Sequence, residues 1–220
     1  TKGKRISNQL LSLLLIVLSF RIGKSVFLEF AVTTDVKLIF VGLGTIMAIG
    51  PLYYFFTQSC VINNWQFKQV MLTHFIPSFL GVVFGLWLEE KHLESIPIWI
   101  FAAIFLSYYL HLLIYLVISF RFTHKKRESL NPKVYKFIRL LFIGFIGIWI
   151  VYVLNLFDES IPYIIGPILY SLVAYVVSFI VIKNGYVELI GQTKYKTTPA
   201  SDGQLNTIYE RIQKAVVTEK

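Results

Sequence analysis

Six long apolar runs constrain this chain more than any other feature. They cover Ile6–Phe30, Val36–Thr57, Phe67–Leu88, Pro97–Phe120, Val134–Phe157 and Ile161–Ile182. A helix needs about 20 mostly apolar residues to cross the hydrocarbon core of a bilayer. Each run reaches that length. Lipid offers no partner to bare backbone groups, so spanning segments are helices or closed barrels. Barrel strands are shorter and alternate polar with apolar residues. Leu10–Leu18 does not alternate. The expected fold class is all-α: a polytopic transmembrane bundle of about six spans.

Composition agrees. Hydrophobic residues make up 56% of the chain and charged residues 15%. Soluble domains average about 45–50% and 25%. The formal charge of +9 raises the question of nucleic acid. Position answers it, because Lys and Arg lie between and beyond the apolar runs rather than on one basic domain. Cys60 is the only cysteine, which excludes an internal disulfide and a cysteine-based zinc site.

The charges also set an orientation. Connectors one, three and five hold Thr33-Thr34-Asp35 with Lys37, Glu89-Glu90-Lys91-His92-Leu93-Glu94, and Asp158-Glu159. The other side holds Lys2, Lys4 and Arg5, then Lys68, then Arg121, Lys125, Lys126, Arg127, Lys133, Lys136 and Arg139. Lys183, Lys194, Lys196, Arg211, Lys214 and Lys220 complete it. That side carries seventeen basic residues; the first carries Lys37 and Lys91. The positive-inside rule puts the seventeen, and both chain ends, in the cytoplasm.

Other residues read structurally. Gly50-Pro51 is expected to kink span two and Pro77 span three. Gly144 and Gly147 are expected to let span five approach a neighbour. Pro162 and Pro167 begin span six. Trp65, Trp87 and Trp99 lie near the expected interfaces. Asn155, Ser171, Tyr175 and Ser178 are candidates for hydrogen bonds between helices.

Residues 1–190 thus form the membrane part and 191–220 a cytoplasmic tail. Gln192–Ala200 is polar and linker-like. Ser201-Asp202-Gly203-Gln204 fits a capping box. Leu205, Ile208, Tyr209, Ile212 and Val216 then recur at helical spacing. A short amphipathic helix is expected there, and its apolar stripe needs cover. A second copy of the chain, giving a homodimer, is one candidate. The chain starts at Thr and stops inside this helix, as a piece of a longer protein would.

Ionisable residues within spans are costly and are functional candidates by default. Arg21, Lys24 and Glu29 stand in the outer part of span one, with Arg21 and Lys24 on one face. They can hold an anionic ligand, or they snorkel and pair with acidic groups. His74 and His111 fall in spans three and four, with Tyr108, Tyr109 and Tyr115 near His111. They line a polar cavity, or His74 satisfies backbone freed by Pro77. Two histidines without a third ligand argue weakly for metal. The chain has no Walker sequence, no dinucleotide fingerprint, no His-Glu-x-x-His and no Gly-x-Ser-x-Gly. No motif in the sequence argues for an enzyme or a cofactor, and no defined set of metal ligands is present.

Two segments carry a family resemblance. One is Lys2-Gly3-Lys4-Arg5-Ile6-Ser7-Asn8-Gln9-Leu10-Leu11, with Phe20-Arg21-Ile22-Gly23-Lys24-Ser25 beyond it. The other is Gly191-Gln192-Thr193-Lys194-Tyr195-Lys196, followed by Ile208-Tyr209-Glu210-Arg211-Ile212 and Val217-Thr218-Glu219-Lys220. The layout resembles the membrane sensor region of bacterial helix-turn-helix regulators of the AraC type. The resemblance implies a location in the bacterial inner membrane. It also implies signal transmission through the tail helix to a cytoplasmic DNA-binding domain, which this chain does not contain. A transporter or channel is the alternative, motivated by the kinked, polar-bearing spans two to four.

Overall fold

A computed structural model describes residues 2–31, 36–93, 95–157 and 165–184. The elements are α1 (Lys2–Phe30), α2 (Val36–Val61), a 3-10 helix (Gln69–Phe75), α3 (Ile76–Trp87) and the single turn α4 (Glu90–Leu93). They continue with α5 (Ile98–Lys125), a 3-10 turn (Arg127–Ser129), α6 (Pro132–Phe157) and α7 (Ile165–Asn184). No strand occurs among the described residues. Six helical stretches are long and apolar enough to cross a membrane, the 3-10 helix and α3 together forming one of them.

Large apolar side chains lie on the surface along the long helices. Ile16, Phe27, Phe79, Leu80, Leu86, Trp99, Ile118, Leu172 and Ile182 all face outward. Water tolerates scattered apolar residues but not contiguous apolar faces on several long helices. Lipid removes that cost.

Helix α2 is the centre of the bundle. In its apolar stretch 67% of residues are buried, against 17–39% in the other five. It packs on α1, α3 and α5. The order α1–α2–α5–α6–α7 closes into a ring, because α7 returns to α1, while α3 packs outside the ring on α2. Leu14, Leu18, Ile46, Ile49, Tyr53, Phe56 and Phe145 are among the residues that fill the core.

Contacts sort the connectors onto two ends. At one end Lys37 at the start of α2 meets Glu89 after α3 (3.9 Å), and Lys91 meets the same carboxylate (2.5 Å). At the other end Ser7 of α1 donates to the Ser59 carbonyl of α2 (3.4 Å), and Tyr53 donates to the Ile138 carbonyl of α6 (3.0 Å). The second end is the basic one: α5 leaves the bundle there through Arg121, Lys125, Lys126 and Arg127. The expected alternation of connectors agrees with this grouping.

Several boundaries differ from the sequence expectation. Helix α5 continues to Lys125, five residues past Phe120. His124 and Lys125 fill its last turn, where the helix dipole favours cations. Pro77 does not kink a continuous helix; it begins one, in the first turn of α3. In an unbroken α-helix residue 77 would donate to the Thr73 carbonyl, and proline has no N–H. The Ile76 N–H takes that carbonyl instead, one residue tighter. The 3-10 geometry then runs back to Gln69, seven residues in a form seldom longer than about four. Pro51 lies inside a continuous α2. Residues 161–164 and the tail from 185 onward, with the expected helix at 201–220, lie outside the described residues.

The α2–α3 contact is the closest in the bundle. A Cβ on Gly44 would sit 2.5 Å from the Val82 nitrogen, and one on Gly85 would strike the Val41 nitrogen. Ser78 donates across this seam to the Gly44 carbonyl (2.9 Å). Gly144 meets Val173 of α7 as expected, but Gly147 has open space beside it and permits no close approach.

Candidate functional site

Arg21 and Lys24 lie on the bundle-facing side of α1. They are the most deeply buried charges among the described residues, at 1% and 5% exposure. Neither snorkels to the surface. The Arg21 guanidinium lies over two rings at once, Tyr152 of α6 (5.4 Å) and Tyr170 of α7 (5.5 Å). Tyr109 of α5 stacks on Tyr152 (6.4 Å), and its carbonyl accepts from the Trp149 indole (3.0 Å). The aromatic wall is therefore held from three helices.

Helix α2 supplies the fourth side, through an absence. A Cβ on Gly42 would sit 2.6 Å from Lys24 Cδ and 3.0 Å from Arg21 Nη1. The α2 backbone thus leaves space that the two basic side chains enter. Ser25, also buried, follows Lys24 on α1.

Depth explains why these residues meet. Lys24 is six residues from the end of α1 and Gly42 six from the start of α2. Tyr152 is five from the end of α6 and Tyr170 five from the start of α7. At 1.5 Å per residue, all four lie roughly 8–9 Å in from the same end of the bundle. That end is the one bearing Lys37 and Glu89. Glu29 belongs to this part of α1, but its side chain lies outside the described residues.

A second polar group sits nearer the basic end. A hydrogen bond of 2.5 Å joins His74 Nδ1 to the Tyr115 hydroxyl. The His111 ring lies 4.9 Å from the Tyr115 ring, one turn away on α5. Gly50 makes room for this arrangement, since a Cβ there would lie 3.0 Å from Tyr115 Cβ. The two histidines are thus brought together through Tyr115. His74 does not serve the backbone near Pro77; its ring nitrogen has found a side-chain partner 41 residues away. No group of three or more potential metal ligands exists among the described residues. Tyr108 joins neither cluster. It is buried on α5 against Gly81 of α3.

The sequence thus supplied Arg21, Lys24, His74 and His111. It also placed Tyr109 and Tyr115 beside His111, but it did not supply Gly42, Tyr152 or Tyr170. Their signal was matching depth: residues equally far from connectors on the same side meet when their helices are neighbours.

These features define a multi-pass membrane protein, all-helical over its described residues, with a buried cationic group near one end. No protein-family model, curated protein or solved structure matches the chain.

Proposed function

We propose that this chain is the membrane-embedded sensing region of a bacterial transcription regulator. The basic end faces the cytoplasm and the Arg21–Lys24 end faces outward. The single observation that carries the sensing role is the burial of two cations where α1, α2, α6 and α7 converge. A ligand shifts a conformational equilibrium only through different affinity for two arrangements. A site built from four helices gives that difference, because any relative movement of α1 against α6 and α7 changes its contacts. Helix α7 leads from the site to the cytoplasmic tail. The resemblance of the N-terminal and tail segments to AraC-type sensor regions supplies the output: a DNA-binding domain attached beyond the tail helix, with that helix pairing in a homodimer.

Transcript profiling tests this reading in cells carrying the intact gene or one lacking codons 6–184. A confined set of transcripts is expected to lose its regulation. Unchanged transcripts under every growth condition would remove the proposal.

Transport is the second reading. It is favoured by Pro51 in α2, the 3-10 segment and the His74–Tyr115 pair lying side by side. Against it stands a core filled with Phe, Tyr, Leu and Ile side chains. Substrate-dependent flux in proteoliposomes would establish transport in place of sensing.

A further inference from the structure

We propose that the cleft between α5 and α6 at the basic end binds an anionic phospholipid, its phosphate at Arg139 and one acyl chain on the aromatic ledge beneath. This goes beyond the sensing proposal and does not rest on it.

The antiparallel register of the two helices builds the cleft. Phe120 of α5 stacks on Phe142 of α6 (4.8 Å), and one turn nearer the basic end His124 stacks on Phe120 (5.8 Å). That turn brings Thr123 and His124 beside Ile138 and Arg139. Tyr135 and Phe142 flank Arg139 along one face of α6. Tyr53 of α2, fully buried, closes the inner side.

Internal bonds use up the inner polar groups. The Tyr53 hydroxyl donates to the Ile138 carbonyl (3.0 Å), and the Thr123 hydroxyl donates to the Ser119 carbonyl (2.7 Å). The rim differs. Arg139 and His124 are exposed and Tyr135 half-buried, and none of these three side chains makes a hydrogen bond or ion pair.

Charge selects the class of headgroup. From Arg121 to Arg139 the chain carries seven basic residues and one acid, Glu128. That acid already lies with Arg127 (3.8 Å). A headgroup of net negative charge is attracted to such a surface, and a choline headgroup gains far less. The Arg139 guanidinium presents a fork of donors that matches two oxygens of one phosphate.

Size selects a lipid over a dissolved ligand. The cleft holds about 10 Å³, room for about one water. A small-molecule site is typically a concavity of about 300–1,000 Å³ that buries most of its ligand. A lipid needs only a rim for its phosphate and a wall for its chain. Val117, one turn deeper than Phe120, and Ile143, one turn deeper than Arg139, are both exposed and extend that wall.

The full chain is purified in dodecyl maltoside, and bound lipid is read by native mass spectrometry. Phosphatidylglycerol is titrated against phosphatidylcholine with the same acyl chains, and is expected to bind about tenfold more tightly. Arg139→Gln, at an exposed position that leaves the fold intact, is expected to weaken phosphatidylglycerol by more than about tenfold, as loss of charge-assisted hydrogen bonds would. Lys126→Gln removes the same charge from the turn outside the cleft, and a loss of no more than about fivefold is expected. Inorganic phosphate at matched ionic strength is expected to leave the lipid bound, because it brings no chain. Three results would each overturn the inference. One is phosphatidylglycerol binding no more tightly than phosphatidylcholine. Another is equal losses in Arg139→Gln and Lys126→Gln, which would mean diffuse surface charge without a site. The third is displacement of the lipid by inorganic phosphate, which would make this a solute site.

Discussion

Tyr115 shows how much a single side chain settles inside a bilayer. Its hydroxyl meets His74, its ring meets His111 and Tyr54, and it lies on the α2 backbone at Gly50. Tyr115→Phe keeps the ring packing and removes the hydrogen bond. Bonds of this kind within membranes contribute on average less than about 1 kcal/mol, because the separated helices find other partners. A loss of under about 1 kcal/mol in reversible unfolding in mixed micelles is therefore expected, with the fold intact. Glu89 makes a second, solvent-exposed case. Its hydrogen bond to Lys91, helped by the charges of Lys91 and Lys37, holds its carboxyl below the ordinary value of 4.5. A lowered folded value means that the contact stabilises the connector fully above 4.5 and is lost as pH falls through the lowered value. Lys91→Gln is expected to move the Glu89 titration back up, as read by carboxyl carbon NMR. The sequence marked Arg21 and Lys24 because charge within an apolar run is conspicuous. It could not mark Tyr152 or Tyr170. In water an apolar stripe against a polar face shows which way a helix turns. In lipid both faces are apolar, so the inward residues of α6 and α7 carry no such label.

At the level of helices, glycine decides where backbones touch. Gly81-Val82-Val83-Phe84-Gly85 has the small-xxx-small spacing that brings membrane helices together. The sequence expectation of close approach falls instead on Gly144 and Gly147 of α6. Only Gly144 proves to be a contact, because the rotation of α6 turns Gly147 into open space. Two substitutions separate these cases. Gly85→Ala forces a methyl into the α2 backbone at Phe40 and Val41, which cannot yield as a flexible side chain would. A cost of about 1–3 kcal/mol is expected, typical of overpacking. Gly147→Ala meets nothing and removes a helix-weakening residue, so a neutral result or a gain of up to about 1 kcal/mol is expected. Thermal unfolding of both variants beside the parent checks the pair; equal effects would contradict the α2–α3 seam. Span positions were legible because the bilayer imposes a minimum apolar length whatever the neighbours do. The 3-10 segment was not. Pro77 advertised a disturbance, but whether a helix kinks, breaks or tightens there depends on which donor reaches the Thr73 carbonyl.

For the molecule as a whole, the bilayer must see two chemically different ends. Anionic headgroups and the insertion machinery favour Lys and Arg on the cytoplasmic side, and the residues that obey this rule are short-range markers close to span ends. Here the markers are dense at one end. Lys125, Lys126 and Arg127 close α5 and enter the 3-10 turn, and Lys133, Lys136 and Arg139 occupy the first two turns of α6. At the opposite end Lys37 and Lys91 share Glu89. A bundle of six spans keeps each connector on its assigned side; five or seven would move every connector after the altered span to the other side. Single cysteines test this directly once Cys60→Ser has removed the natural thiol. In intact cells, Lys91→Cys is expected to react with a membrane-impermeant maleimide added from outside. Lys126→Cys is expected to react only after the membrane is opened. Both positions are exposed or near connectors, and neither supports the packing of the core. Labelling of both from outside would break the alternation. Labelling of Lys126→Cys alone would invert the protein, and the buried cations of α1 would then face the cytoplasm, leaving the proposed sensing site with no access to the outside.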